Sequence, residues 1–260
     1  MKAVILCGGL GSRIRDASEI LPKPMLPIGG KPIVWHIMKL FAHHGCNEFV
    51  LCLGYRAWVV KEFFLNYAAM TNDVVVQLGA RRAVSIADTH SAEEWNVTLA
   101  ETGESTQTGG RVLAVRKYVE NDDFFLLTYG DGVADVDIPS LIAFHRSHGK
   151  IATVTAVRPP GRFGELGITE NSVNQFNEKP QASGGFINGG FFVCDAKRIW
   201  DYLDEGPATV LEREPMQRLA ADGELIAYRH LGFWQPMDTL REFTMLNEMW
   251  DSGTAPWKVW

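Results

Sequence analysis

Apolar positions along this chain switch between two periods, and the switching predicts a layered fold of strands and helices. Residues 2–7 (KAVILC) form an unbroken apolar run closed by Gly8 and Gly9, as expected of a strand buried on both faces of a parallel sheet. From Pro32 the apolar residues Ile33, Ile37, Leu40 and Phe41 recur at helical spacing and stop at Gly45, a natural helix terminator. A strand is predicted at 48–53, a helix over 55–69 on the spacing of Val59, Phe63 and Tyr67, and a further strand at 73–78. This opening segment reads β-α-β-α-β, the alternation of a doubly wound parallel sheet.

Residues 80–110 break the rhythm: they are polar and rich in Thr and Gly, with one apolar knot at Trp95 to Leu99, and they read as an insertion. Alternation returns with an apolar strand at 124–129 that runs into Gly130-Asp131-Gly132. A helix is predicted over 139–148, capped by Asp137 and closed by Gly149. Strands follow at 151–157, 172–176, 186–194 and 225–229, with helices at 197–203, 216–221 and 239–250. Their clustering predicts a mixed sheet carrying a smaller, substrate-facing lobe. No repeat or linker divides the chain, so residues 1–260 are read as one α/β domain.

Composition narrows the possibilities. With 46% hydrophobic and 22% charged residues the chain has ample material for a core. No apolar run approaches the ~20 residues of a membrane span, and the apolar stretch at the start is too short for a secretory leader, so a cytoplasmic protein without a membrane partner is expected. A net charge of −6 offers no global positive field for nucleic acid. Cys7, Cys46, Cys52 and Cys194 are far apart and mostly sit in apolar runs, as buried reduced thiols do. The seven His residues form no zinc-binding pattern.

The glycine-rich turn after the first strand lies where an open α/β sheet keeps its ligand crevice. Gly8-Gly9-Leu10-Gly11-Ser12-Arg13 is no dinucleotide fingerprint, because Ile14 stands where Gly or Ala is required and the acid expected further on is missing. A Walker loop fails too: Pro32 follows Gly30-Lys31, and Met25 occupies the position of the first glycine. What remains is a turn of backbone N–H groups followed by Arg13, Arg15 and Lys23, a combination suited to a polyanion. A tight turn with solvated cations is the plainer alternative. Lys23 is stiffened between Pro22 and Pro24, which favours a fixed ammonium.

The GGLGSR turn followed by LPKPM at 21–25 resembles the signature of the sugar-nucleotide pyrophosphorylases, which join an NTP to a sugar 1-phosphate. WNVTL (95–99), TGGR (108–111), YGD (129–131), PPGRF (159–163), NEKP (177–180), INGGF (187–191), FWQPMDT (233–239) and APWK (255–258) carry the resemblance along nearly the whole chain, toward the cytidylyl branch. Ser12 replaces the usual Thr but keeps the hydroxyl, and Cys7 replaces the commoner Ala.

That resemblance implies a Rossmann-like, doubly wound mixed sheet and the reaction of CTP with α-D-glucose 1-phosphate to CDP-glucose and pyrophosphate, assisted by Mg²⁺. It also implies a homo-oligomer, hexameric in the family. Residue by residue, it assigns Leu6, Gly8, Gly9, Gly11, Ser12, Arg13, Lys23, Thr106, Arg111 and Gly130 to the nucleotide, with Arg13 and Lys23 catalytic. It assigns Glu178, Lys179, Asn188 and Gly189 to the sugar phosphate, and Asp131 and Asp238 to the metal. The insertion is implied to reach a neighbouring subunit, taking Thr106 and Arg111 with it.

Rival readings remain open at this point: another NTP or sugar phosphate, a non-catalytic sugar-nucleotide-binding homologue, or a glycosyltransferase using Asp135 and Asp137. Asp238 could cap the helix after it, Asn188 to Gly190 could be a hairpin turn, Arg111 could be a surface cation, and Asp137 suits a helix cap.

Overall fold

In the computed structural model, described over residues 1–9, 21–79, 83–86, 93–159, 165–169, 172–177, 185–203 and 206–260, a seven-stranded sheet forms the centre of the molecule. Its strands are β1 (Lys2–Leu6), β2 (Glu48–Leu53), β3 (Asn96–Glu101), β4 (Phe124–Tyr129), β5 (Ala152–Val157), β6 (Ile187–Asp195) and β7 (Leu225–Arg229). They lie in the order β7-β5-β6-β4-β1-β2-β3. β6 alone runs against its neighbours, antiparallel to both β4 and β5; the other pairings are parallel. The mixed α/β sheet expected from the sequence is therefore present.

Side-chain alternation explains why helices cover both faces. Along β1, Ala3 and Ile5, with Cys7 just beyond, enter one core with Ile33, Ile37 and Phe41 of helix α1 (Ile33–His43). Val4 and Leu6 enter the other, with Val112, Val115, Trp200 and Leu219. The remaining longer helices are α2 (Ala57–Leu65), α3 (Thr108–Ala114), α4 (Ile138–His148), α5 (Glu214–Ala221) and α6 (Leu240–Asp251). α4 has the expected ends: the Asp137 side chain accepts from Ser140 N, and Gly149 closes the helix at φ 63°. Residues 197–203 form only a short 3-10 turn, Ile199–Tyr202, in place of the expected helix.

The predicted strand at 73–78 exists as Val74–Gln77 but does not join the parallel sheet. It pairs with Ala83–Ile86 in a separate antiparallel hairpin, exposed at every position. The sheet position next to β2 belongs to β3, which contains the Val97–Leu99 part of the apolar knot. The stretch expected as an insertion over 80–110 thus also contributes a sheet strand and the start of α3, because an apolar knot pairs with whatever strand edge is within reach. A second ribbon, Glu165–Thr169 with Ser172–Asn177, also lies outside the sheet.

His36 on α1 joins the C-terminal segment to the core. It is fully buried, its Nε2–H faces Ile28 O at 2.9 Å, and its Nδ1 accepts from Trp257 Nε1 at 3.4 Å. All four cysteines are buried and free. Burial pushes the Cys52 and Cys194 thiols up to about 12.

Candidate active site

The site is built at the carboxyl ends of β1 and β4, where parallel strands splay and leave a crevice. Gly130 N donates to Leu6 O at 3.0 Å, closing the two strand ends together. A side chain at Gly130 would have no room, since a Cβ there would lie 2.9 Å from Leu6 O. Beyond Gly130 the chain turns into a short ribbon, Gly132–Ala134 paired with Trp234–Pro236. Met237 N donates to Asp131 O at 2.8 Å, and Pro236 faces Gly132, so the ribbon zips Asp131 and Asp238 to the same place from distant parts of the chain.

Lys23 meets them there. It begins a single 3-10 turn, Lys23–Met25, entered from Pro22 in an extended conformation (φ −66°, ψ 147°). Its ammonium donates to Asp131 Oδ2 at 2.8 Å and is also bonded to Asp238 Oδ1. The three side chains are half-buried or better, with Lys23 only 13% exposed. Burial by itself would lower the Lys23 pKa, but Asp131 and Asp238 override it and leave the ammonium raised. Lys23 therefore stays charged at the mouth of the crevice.

Asp238 is not a helix cap. Thr239 caps α6, accepting from Glu242 N while the Glu242 carboxylate accepts from Thr239 N, a reciprocal capping box. Asp137 is spent on α4, and Asp135 Oδ1 lies 3.0 Å from His230 Nε2.

The cleft beside Lys23 has a volume of about 220 Å³ and is lined by Leu6, Gly8, Gly9, Lys23, Thr106, Arg111, Gly130 and Asp131 among others. Every described residue expected at the nucleotide thus lines one cavity. Gly11, Ser12 and Arg13 lie outside the described residues, as do Glu178 and Lys179. A wider groove of about 560 Å³ shares Thr106 and Gln107 with the cleft.

Arg111 departs from the expectation of a surface cation. It is 4% exposed, and its guanidinium is committed within its own chain. It donates to the carbonyls of Leu53, Gly8, Gly103 and Glu104 and to the Thr102 hydroxyl, at 2.7–3.1 Å. Gly8 and Gly54 make its place: a Cβ at Gly8 would lie 2.2 Å from the guanidinium carbon. Among the described residues no carboxylate pairs with Arg111. Burial lowers its pKa, yet a guanidinium stays charged, so Arg111 lends the cleft wall positive charge.

Asn188 and Gly189 are not in a turn. They belong to β6, where Asn188 pairs with Ala156 of β5. Gly189 is packed under Val157 and its carbonyl accepts from Trp234 Nε1 at 2.6 Å. Asn188 Nδ2 donates to Tyr129 Oη at 3.3 Å. Tyr129, also on the cleft wall, donates to Glu212, a residue that sequence reasoning missed because it stands in no recognisable motif.

Two carboxylates already gathered on a cation are a donor set that fits Mg²⁺, which takes one or two carboxylates together with phosphate oxygens and water. Among the described residues no cluster of three acidic, His or Cys ligands exists.

A crevice at the strand ends, walled by glycines and a buried cation and closed by an Asp-Lys-Asp cluster, is the site of an enzyme acting on phosphates. The chain belongs to the nucleotidyl transferase family, whose pattern matches residues 2–228. Along 100% of both chains it is 52% identical to the glucose-1-phosphate cytidylyltransferase of Salmonella typhimurium. It is 44% identical, again over the full length of both, to a probable glucose-1-phosphate cytidylyltransferase of Bacillus subtilis. Solved structures share the fold. A putative glucose-1-phosphate thymidylyltransferase from Bacillus anthracis superposes with a TM-score of 0.67 at 18% identity, over 96% of this chain and 94% of that one. HddC from Yersinia pseudotuberculosis gives 0.68 at 22% identity, over 96% and 99%.

Proposed function

We propose that this enzyme makes CDP-glucose and pyrophosphate from CTP and α-D-glucose 1-phosphate. The observation that carries the reading is the Lys23 ammonium, held between Asp131 and Asp238 at the cleft beside Gly8, Gly9 and Gly130. A phosphate oxygen of glucose 1-phosphate attacks the α-phosphorus of CTP. The bond to the β-phosphate breaks, and pyrophosphate leaves with the bonding electron pair. The nucleophile is already ionised, so the protein needs no general base; its work is to position two anions and offset their repulsion. Lys23 supplies a point charge at the reacting phosphates. Arg111 raises the potential of the cleft from behind Gly8, and the glycine-rich segment that begins at Gly8, with Arg13, serves the triphosphate. Asn188, with Glu178 and Lys179, serves the sugar phosphate. Asp131 and Asp238 would hold Mg²⁺, which when bound would supply further charge neutralisation.

The active form is read as a homo-oligomer, with the hexamer that the resemblance implies. The exposed apolar hairpin supports this, with Val75 58%, Val76 53% and Val84 67% accessible in the single chain. No helix among the described residues is long and apolar enough to cross a membrane. Its compartment is the cytoplasm, which the four free thiols favour.

A pyrophosphate-release assay of four NTPs against several sugar 1-phosphates tests the substrate pair. CTP with glucose 1-phosphate is expected to exceed every other pair in kcat/KM by about tenfold or more. A faster UTP or dTTP reaction overturns the cytidylyl reading, and no turnover with any pair would leave a binding protein.

A further inference from the structure

Glu212 stands at the end of a hydrogen-bonded chain that runs from the nucleotide cleft to β6. Its Oε1 accepts from the Tyr129 hydroxyl at 2.5 Å and its Oε2 accepts from the Thr108 hydroxyl at 2.6 Å. Tyr129 Oη in turn accepts from Asn188 Nδ2 at 3.3 Å, and Asn188 Oδ1 accepts from Gly190 N at 2.8 Å. The direction of every proton follows from chemistry. An ionised carboxylate can only accept, so Tyr129 must donate to it; the phenol oxygen is then left to accept, so the amide must turn its NH₂ toward Tyr129. Gly190 N–H demands the carbonyl end of the same amide and fixes it from the other side. The second N–H of Asn188 is thereby left as a donor with no partner among the described residues.

The ring that transmits this is itself located. Gly190 has φ 79°, and a Cβ there would lie 2.5 Å from Tyr129 Cδ2, so the glycine leaves the space in which the ring lies. Burial, followed by the Glu212 charge, pushes the Tyr129 hydroxyl well above its ordinary pKa, which keeps the phenol protonated at any working pH.

We propose that Glu212 is a positioning residue for sugar discrimination: acting through Tyr129, it holds Asn188 as a hydrogen-bond donor toward one sugar hydroxyl. Resting on the assignment of Asn188 to the sugar phosphate, the proposal names the group that orients it. The device suits a hydroxyl read as an acceptor, because an analogue lacking that hydroxyl leaves the amide donor unpaired in the closed complex. Replacing Glu212 by Gln removes the obligation to accept, so the Tyr129 hydroxyl can reverse and cease to accept from Asn188, leaving Gly190 N–H as the one remaining hold on the amide among these contacts.

The experiment compares kcat/KM for glucose 1-phosphate and its singly deoxygenated analogues in four proteins: wild type, Asn188→Ala, Glu212→Gln and Tyr129→Phe. Wild type is expected to reject one analogue by about tenfold or more. Asn188→Ala is expected to lose that rejection. Glu212→Gln and Tyr129→Phe are expected to lose it for the same analogue, and Glu212→Gln to keep its Tm and its KM for CTP. Wild-type ratios retained in Glu212→Gln and Tyr129→Phe, with Asn188→Ala altered, overturn the role of Glu212 alone. Wild-type ratios retained in Asn188→Ala as well overturn the sugar-side assignment on which it rests. A loss of CTP and sugar affinity together, accompanied by a lower Tm in Glu212→Gln, would make Glu212 a structural residue and also overturn the proposal.

Discussion

Arg111 satisfies its guanidinium with four carbonyls and one hydroxyl where a carboxylate would be the commoner partner, and the consequence is electrostatic. Carbonyl dipoles meet its hydrogen-bonding needs without cancelling its charge, so a wall facing polyanions stays positive. Asp131 and Asp238 do the opposite job: they hold Lys23 in place and offer oxygen ligands beside it. If both serve one ion, Asp131→Asn and Asp238→Asn should each cost ~10² to 10³ in kcat. The double variant should then be little slower than the slower single one, since groups acting as a unit are not additive. Steady-state rates at saturating substrates over a Mg²⁺ titration check this. Near-normal kcat in Asp238→Asn would remove Asp238 from the metal, and the cap explanation is no longer there to account for it because Thr239 does the capping.

Elements in this protein are tied together by buried imidazoles as well as by apolar packing. His36 fastens α1 to the carbonyl of Ile28 and to Trp257, and His145 fastens α4 to Thr153 of β5 at 2.8 Å. Burial pushes the His36 imidazole down to about 4, and burial together with neighbouring His148 does the same at His145. Both folded-state values lie below the ~6.5 of an unfolded chain, so the unfolded state takes up protons first as pH falls. Stability from these residues is complete above pH ~6.5 and is lost progressively toward pH 4. Tm measured across that window should fall, and His36→Gln should fall less steeply than wild type from a lower starting point. A Tm independent of pH between those limits would refute the linkage.

For the whole molecule the exposed hairpin matters most. Val76 lies directly opposite Val84, and Val74 opposite Ile86, so one face of the ribbon is an apolar patch exposed among the described residues. Such a patch marks an association surface. If the proposed oligomer forms through this face, Val84→Glu should yield smaller species than wild type in sedimentation velocity while leaving the circular dichroism of the central sheet unchanged. An unaltered sedimentation coefficient would place the subunit contacts elsewhere.

Local chemistry was legible in the residues themselves. The apolar run at 2–7, the spacing of Ile33, Ile37, Leu40 and Phe41, and the cap and stop at Asp137 and Gly149 involve neighbours in the chain, and each appears where the sequence places it. The motif residues at the strand ends likewise line one cleft, because a parallel strand delivers its following turn to the same edge. Partner choice was not legible. The Val74–Gln77 run has strand character equal to that of Asn96–Glu101, and only the free edge of β2 decided which entered the sheet. Nor could the sequence tell that the carbonyls of Gly8, Leu53, Gly103 and Glu104 would close around the Arg111 guanidinium at the cleft wall. Glu212 had no motif to announce it. These depend on contacts between residues far apart in sequence, whose energies exist only once the sheet has brought the segments together.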